Sequence, residues 1–415
     1  MTKKHLIIGC GTAALSTAKK IRSIAREDEI KLVTMEHCLP YSPASLPYLL
    51  SERLKEDNLW VANDPLLQEW RFDLAKGKEV VGLKVDQKEV IYQDGGREQY
   101  DSLLIASGSE PMKPPIRGLE TVGFIGFHTI KDSRELSKKL DGKKEVTLYG
   151  GGMVALEIAT ALLERGLKVK IIVRSRIARG YFDEQGGAFI ELILRQQGAE
   201  FYGGSKIDEI REIKGRTKII LSDGRSLDTD VLIVSAGIEP RISFLAGTGI
   251  LINRGVLVDK QMRTNLPDVY AAGDVVEAFD FFFGQAGINA ITPSAIQQGL
   301  VAGANMAGEK MEDKGWIPMN LFKFFGHTAF SIGLSPRPSY QVLKKKDDPS
   351  GISKEFVFQE NRLAGARFID VDIDPGILRY LIEEKVDIGE FKEELLEHPQ
   401  ETSRRLMLRS EQNWS

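Results

Sequence analysis

The sequence predicts an α/β protein: two copies of one parallel-sheet fold, followed by a smaller α+β segment at the C-terminal end. Three observations predict it. Apolar runs of strand length alternate with helix-period segments through roughly the first 300 residues, the pattern of βαβ construction. Two glycine-rich strings, Gly9-Cys10-Gly11-Thr12-Ala13-Ala14 and Gly150-Gly151-Gly152-Met153-Val154-Ala155, each follow an apolar run and open a helix-period segment. Two further strings echo one another: residues 101–111 read DSLLIASGSEP and residues 230–240 read DVLIVSAGIEP, with Asp, apolar run, Gly and Pro in matching places. Repeated elements in the same order argue for duplication, so the two copies read as Rossmann-like dinucleotide-binding domains.

In the first copy a strand is expected over 5–9, a helix over 12–24 and a strand over 30–35. In the second the same unit falls at 145–149, 153–165 and 168–173. Crossovers of this kind are right-handed, so each unit sets its two strands side by side. From Trp316 onward the character changes. Strands are expected over 356–358 and 364–369 around the Glu360-Asn361-Arg362 turn, then a helix over 377–384, then a charged helical stretch with a polar tail. The mostly apolar Asn320–Phe325 stretch is assigned to core, with an interface as the alternative.

A chain of 415 residues is long enough for two or three domains. With 42% hydrophobic and 28% charged residues it has the composition of a globular protein, and a net charge of −3 gives no basis for binding nucleic acid or anionic lipid. The two cysteines, Cys10 and Cys38, cannot build a disulfide framework and have no zinc-type spacing, so no metal is expected. No stretch is apolar for the ~18 residues of a membrane span, and the N-terminal apolar run enters the Gly9 turn instead of a cleavage site. A cytoplasmic location is the expectation.

The glycine strings carry the chemistry. Gly9 allows the tight turn, Gly11 lets the backbone approach a pyrophosphate, and the small Ala14 lets helix and strand pack closely. Thr12 and Ala13 begin a helix whose N-terminus faces the phosphates. Glu36, at the end of the next strand, can accept hydrogen bonds from ribose hydroxyls. In the second string Gly150, Gly152, Met153 and Val154 play the same parts. The place of Glu36 is taken by Arg174, followed by Arg176 and Arg179. A cation there suits a ribose 2′-phosphate, which tilts the reading toward NADPH over NADH, a solvated basic loop being the alternative.

The string Thr264-Asn265-Leu266-Pro267-Asp268-Val269-Tyr270-Ala271-Ala272-Gly273-Asp274 resembles the second FAD motif of the pyridine-nucleotide-disulfide-oxidoreductase-like flavoproteins, and the resemblance runs over about residues 3–312. It implies that the first copy holds FAD and the second NAD(P)H. By that resemblance Gly273 and Asp274 meet the ribityl chain, Ala106, Ser107 and Gly108 form the crossover beside FAD, and Gly237 is their counterpart by the nicotinamide dinucleotide. Val80-Val81 resembles the segment whose backbone meets adenine, and Val81 is assigned there. Pro293 and Gln297 resemble the helix start beside the flavin ring. Glu157 matches a glutamate that approaches the nicotinamide. The expected domains are an FAD-binding domain over 1–112 and 241–314, an NAD(P)-binding domain over 113–240, and a C-terminal interface or dimerisation domain over 315–415.

Members of that family that reduce disulfides or peroxides use a thiolate beside the flavin. Their local pattern, Cys-Gly-Leu-Pro-Tyr or Cys-Ala-Leu-Pro-Tyr, here reads Ala44-Ser45-Leu46-Pro47-Tyr48, with Ser45 retained among the flavin contacts and Ala44 unable to relay electrons. Cys38 is read as a small partly buried thiol, Cys10 as a buried one, and His128 and His327 as packing or surface residues lacking the oriented partner a base needs. Leu39-Pro40-Tyr41-Ser42, Asn361-Arg362-Leu363-Ala364-Gly365-Ala366 and Gly376-Ile377-Leu378-Arg379 resemble the cysteine-free branch: rubredoxin and ferredoxin reductases, nitrite reductase flavin segments, and flavin subunits of multi-subunit aldehyde or 2-oxoacid oxidoreductases. The resemblance implies an FAD-dependent NAD(P)H:acceptor oxidoreductase. Its partner would be an iron–sulfur or other redox protein, met as a homodimer or as a subunit of a larger complex. The alternatives are a stand-alone NAD(P)H oxidase, peroxidase or coenzyme A disulfide reductase-like enzyme, and a flavin-bearing docking subunit without turnover.

Overall fold

The computed structural model describes residues 2–347 and 351–412; the polar tail expected at the C-terminus lies largely outside them. The chain divides into two compact units. One comprises residues 1–45, 54–110 and 238–317, the other 46–53, 111–237 and 318–415.

The first unit is built on a five-stranded parallel sheet, in the order Val269–Ala271, Ser102–Ile105, Lys4–Ile8, Glu29–Thr34, Phe72–Lys76. Its central strand is buried along nearly its whole length, as a parallel strand covered on both faces must be. The Thr12–Ile24 helix turns Ala13, Ala14, Leu15, Ala18 and Ile21 inward. It packs on the Thr292–Met306 helix, where Gly299 and Gly303 permit the close approach. A Cβ at Gly299 would lie 2.5 Å from the Ala13 carbonyl oxygen, and one at Gly303 would lie 2.6 Å from that of Thr17. The Thr17 hydroxyl donates to the Gly299 carbonyl at 2.9 Å across the same contact.

The second unit repeats the plan with four parallel strands, in the order Glu200–Gly203, Lys168–Val173, Glu145–Tyr149, Val231–Val234. Each parallel sheet is accompanied by a three-stranded antiparallel ribbon: Val80–Lys84, Glu89–Tyr92 and Arg97–Gln99 in the first unit, Ile207–Ile213, Arg216–Leu221 and Ser226–Thr229 in the second. In the two repeated βαβ units the expected elements fall within a residue of their observed bounds, including the Thr12–Ile24 helix and the Glu145–Tyr149 and Lys168–Val173 strands, whereas the strands expected over 356–358 and 364–369 begin two or three residues earlier, at Ser353 and Arg362.

The same unit also contains the C-terminal segment, a five-stranded antiparallel sheet in the order Met319–Phe324, His327–Gly333, Arg362–Ile369, Ser353–Gln359, Gln341–Lys346, with the Pro375–Glu383, Lys392–Glu397 and Pro399–Gln412 helices. Within the 320–325 stretch Phe322 and Phe324 are fully buried and stack with ring centroids 4.6 Å apart, while the alternate residues Leu321 and Lys323 are exposed. The stretch is therefore core on one face only, as the period of two in a strand dictates.

Candidate functional site

Both glycine strings fold as strand–turn–helix, and the physics of the two turns is the same. Gly9 has φ +117° and Gly150 φ +147°, conformations that a side chain rarely adopts. A Cβ at Gly9 would sit 2.2 Å from the Ala106 carbonyl oxygen, and one at Gly150 would sit 2.1 Å from that of Ser235. Ala106 and Ser235 are themselves the matching residues of the 101–111 and 230–240 echo, so the duplication extends to the contact that excludes a side chain. Gly11 and Gly152 differ from these. Each is the extended residue before its helix, no side chain caps that helix, and a Cβ on either would meet nothing within 4 Å. Uncapped backbone N–H groups at a helix start, bordered by open space, suit the oxygens of a pyrophosphate. The residues present therefore fit a dinucleotide at each turn. Gly151 has a packing reason of its own, since a Cβ there would press on Val173 and Ile177.

In the first unit Glu36 follows its strand as expected, and its Oε1 accepts the Tyr41 hydroxyl at 2.9 Å. Tyr41 is in turn buried against Trp60, edge to face at 6.5 Å. Ser45 ends a short 3-10 turn and is half-buried. Val81 is exposed on the Val80–Lys84 strand beside its buried neighbour Val80. Ala106, Ser107 and Gly108 are half-buried in sequence after their strand, and the Ser107 hydroxyl donates to the Arg241 carbonyl at 2.8 Å. Gly273 lies against Ala13, close to the Gly9 turn. Asp274 accepts the Ser109 hydroxyl at 3.0 Å. Pro293 and Gln297 are half-buried in the first turns of the Thr292–Met306 helix. Two supporting residues escaped the sequence reading. Gln298, 3% exposed, accepts the Gly273 backbone N–H at 2.9 Å, and Ser109 orients Asp274. Gln298 adjoins the assigned Gln297, and its only signal of a structural role was that a glutamine on the buried face of a helix must find a partner.

In the second unit Met153 is buried and Val154 exposed at the helix start. Arg174 and Arg179 are exposed in the loop after the Lys168–Val173 strand, whereas the Arg176 guanidinium is spent within that loop, donating to the carbonyls of Phe182 at 2.8 Å and Asp183 at 3.1 Å. Gly237, φ +130°, lies against Met112. Glu157 projects from the Met153–Glu164 helix, and burial alone raises its pKa to about 7.

Cys10 is buried and burial, partly offset by a hydrogen bond from Thr34, raises its pKa to about 11; Cys38 is half-buried. One expectation is corrected. His327 does have an oriented carboxylate, its Nδ1 lying 2.6 Å from Asp370 Oδ2, and its ring packs on Phe189 and Phe324. Its partner lies 43 residues away, across paired strands, where spacing in sequence gives no sign of it. Among the described residues no helix is long and apolar enough to cross a membrane, and no cluster of His, Cys, Asp and Glu could hold a metal ion.

This combination of turns and sheets defines a two-dinucleotide oxidoreductase. Residues 3–299 match the model of the pyridine nucleotide-disulphide oxidoreductase family, and the chain belongs to that family. It is similar to the NADH-dependent phenylglyoxylate dehydrogenase subunit epsilon of Aromatoleum evansii, at 31% identity over 409 residues covering 97% of each chain. It also resembles the NADH oxidase of Methanocaldococcus jannaschii, at 30% identity over 74% of this chain and 70% of that one. The crystal structure of a ferredoxin reductase from Rhodopseudomonas palustris superposes with a TM-score of 0.82 at 21% identity, covering 89% of this chain and 91% of that one, which establishes the shared fold.

Proposed function

We propose that this protein takes electrons from NAD(P)H and passes them, by way of FAD, to an iron–sulfur protein, acting as the flavin-carrying subunit of a larger cytoplasmic oxidoreductase. FAD would be held by the Gly9 turn, Glu36, the 106–108 crossover and the Gly273-Asp274 pair. NAD(P)H would be held by the Gly150 turn and the loop bearing Arg174 and Arg179. Bound flavin supplies the chemistry, accepting a hydride and releasing single electrons. The protein supplies the uncapped helix ends, the ribose carboxylate and the shaped turns.

The observation that carries the reading is the pairing of two intact glycine turns with Ala44 at the thiol position. A second dinucleotide turn has no use in a pure docking subunit, and an alanine cannot relay electrons to a disulfide or peroxide. The likeness to a dehydrogenase subunit over 97% of both chains supports the subunit role. The M. jannaschii NADH oxidase supports the second reading, direct reduction of oxygen. The deciding experiment is anaerobic flavin reduction by NADH and NADPH, followed by reoxidation with oxygen or with an iron–sulfur subunit co-purified from the source. Rapid reoxidation only by the iron–sulfur subunit is expected. Rapid reoxidation by oxygen alone selects the oxidase, and an unbleached flavin defeats both.

For the nucleotide, Arg174 and Arg179 favour NADPH, because both are exposed cations while Arg176 is occupied by the loop itself. The ratio of kcat/KM for the two dinucleotides tests this directly.

A further inference from the structure

The loop over residues 174–183 carries the two arginines assigned to the dinucleotide, and it is fixed at two points. Midway along it the Ala178 backbone N–H donates to the Gly151 carbonyl at 2.8 Å, tying it to the glycine turn. Ala178 adopts φ +51°, a left-handed conformation that costs about 1 kcal/mol or more for a residue with a Cβ and persists only where the surroundings dictate it. At its far end the loop is gripped from the C-terminal sheet. Arg367, on the Arg362–Ile369 strand, donates from Nε to the Tyr181 carbonyl at 2.9 Å. The same guanidinium donates from Nη1 to Glu355 at 3.1 Å, and from Nη2 to the Leu334 carbonyl at 3.0 Å and the Ser335 hydroxyl at 2.9 Å. Arg367 is 6% exposed and Glu355 4%. Beside it Lys344 pairs with Asp183, the residue whose carboxylate caps the Glu184–Gln196 helix through the Gly186 N–H.

A buried ion pair gives little net stability compared with apolar packing of the same shape, so its presence calls for another reason. An arginine with donors directed at four separate groups fixes geometry: the planar fork of the guanidinium defines where the Tyr181 carbonyl must lie. We infer that Arg367, oriented by Glu355, is a positioning residue for the nicotinamide dinucleotide: from the C-terminal sheet it holds the 174–183 loop in the conformation that presents Arg174 and Arg179. The inference rests on the assignment of that loop to NAD(P)H. It adds that affinity for the dinucleotide is set partly by a segment more than 180 residues further along the chain, as the 186-residue separation of Arg367 and Tyr181 requires.

The test uses the FAD-loaded full chain with three substitutions: Arg367→Lys, which keeps the charge but loses the fork; Glu355→Gln; and the double Arg367→Met/Glu355→Met, which removes both charges together and so avoids an unpaired one. Amide hydrogen exchange over 174–183 is read without any dinucleotide. KM for NADH and NADPH is read from anaerobic flavin reduction. Exchange protection at Ala178 and Phe182 is expected to fall in all three. KM is expected to rise about tenfold, or about 1.4 kcal/mol, while flavin content and absorbance stay as in the parent. Unchanged protection, or lost protection with unchanged KM, overturns the inference. A parent protein whose flavin is not reduced by either dinucleotide defeats the assignment of the loop instead, and the exchange measurement still decides whether Arg367 holds it.

Discussion

The Gly9 and Gly150 turns are the same device used twice, and their difference lies one strand away. Both turns place a glycine 2.1–2.2 Å, measured from its imagined Cβ, from a carbonyl of the neighbouring crossover, and both leave an open, uncapped helix start. After the next strand, one copy has Glu36, steadied by Tyr41, and the other has exposed Arg174. Inside the helix the copies diverge again. Ser16 packs toward Gly299, while the corresponding Glu157 is a half-buried carboxyl whose desolvation raises its pKa to about 7. The turn is thus preserved by sterics between the copies, and the two copies differ in the side chains outside it, to which the proposed function assigns the choice of ligand.

The strongest way to break this comparison is to add one methyl group to either turn. Gly9→Ala should cost roughly 3 kcal/mol or more, from strain and collision combined, and the purified protein should lose its yellow colour. Gly150→Ala should suffer a similar loss in thermal stability yet keep its flavin, with no reduction by NAD(P)H. Equal flavin loss in both variants would refute the division of labour between the turns.

The next effect concerns Glu157. Its folded pKa lies above the ordinary value of 4.5, so the proton is held more tightly in the native state. Its contribution is fully present below about pH 4.5 and is lost as pH rises toward about 7, by roughly 3 kcal/mol, after which the curve is flat. Glu157→Gln should remove that slope and be the more stable form at pH 8, as read by thermal unfolding across pH; Ser16→Ala in the first copy should leave the slope in place.

A smaller change should follow at the ribose position. Arg174→Glu makes the second copy resemble the first, and kcat/KM for NADPH should fall about tenfold relative to NADH, about 1.4 kcal/mol. The smallest expected effect is at the thiols. Cys38→Ser should leave reduction by NAD(P)H and onward transfer unchanged, and an alkylating reagent should be equally without effect, because Ala44 removes the relay.

Much of this comparison was legible in the sequence because it is local. A glycine turn, the helix it opens and the residue ending the next strand lie within about 30 residues, the span of a βαβ unit. The expected helix over 12–24 and strand over 145–149 needed only periodicity and turn chemistry. What escaped depends on distant pairing. His327 finds Asp370 across a sheet, Gln298 reaches back to Gly273, and Arg367 reaches Tyr181 from another part of the chain. Hydrogen-bond partners of this kind leave no periodic trace. Gly299 and Gly303 illustrate the point from the other side: they look like poor helix formers until the helix packed against them is known.

That last contact has a consequence for how the protein can change. The helix opening at Gly11 and the helix opening at Thr292 touch backbone to backbone, so neither can slide or tilt without the other. An evolving chain is free to vary the loops that follow the strands, but even a single methyl at residue 299 or 303 would drive the two helices apart along their shared contact.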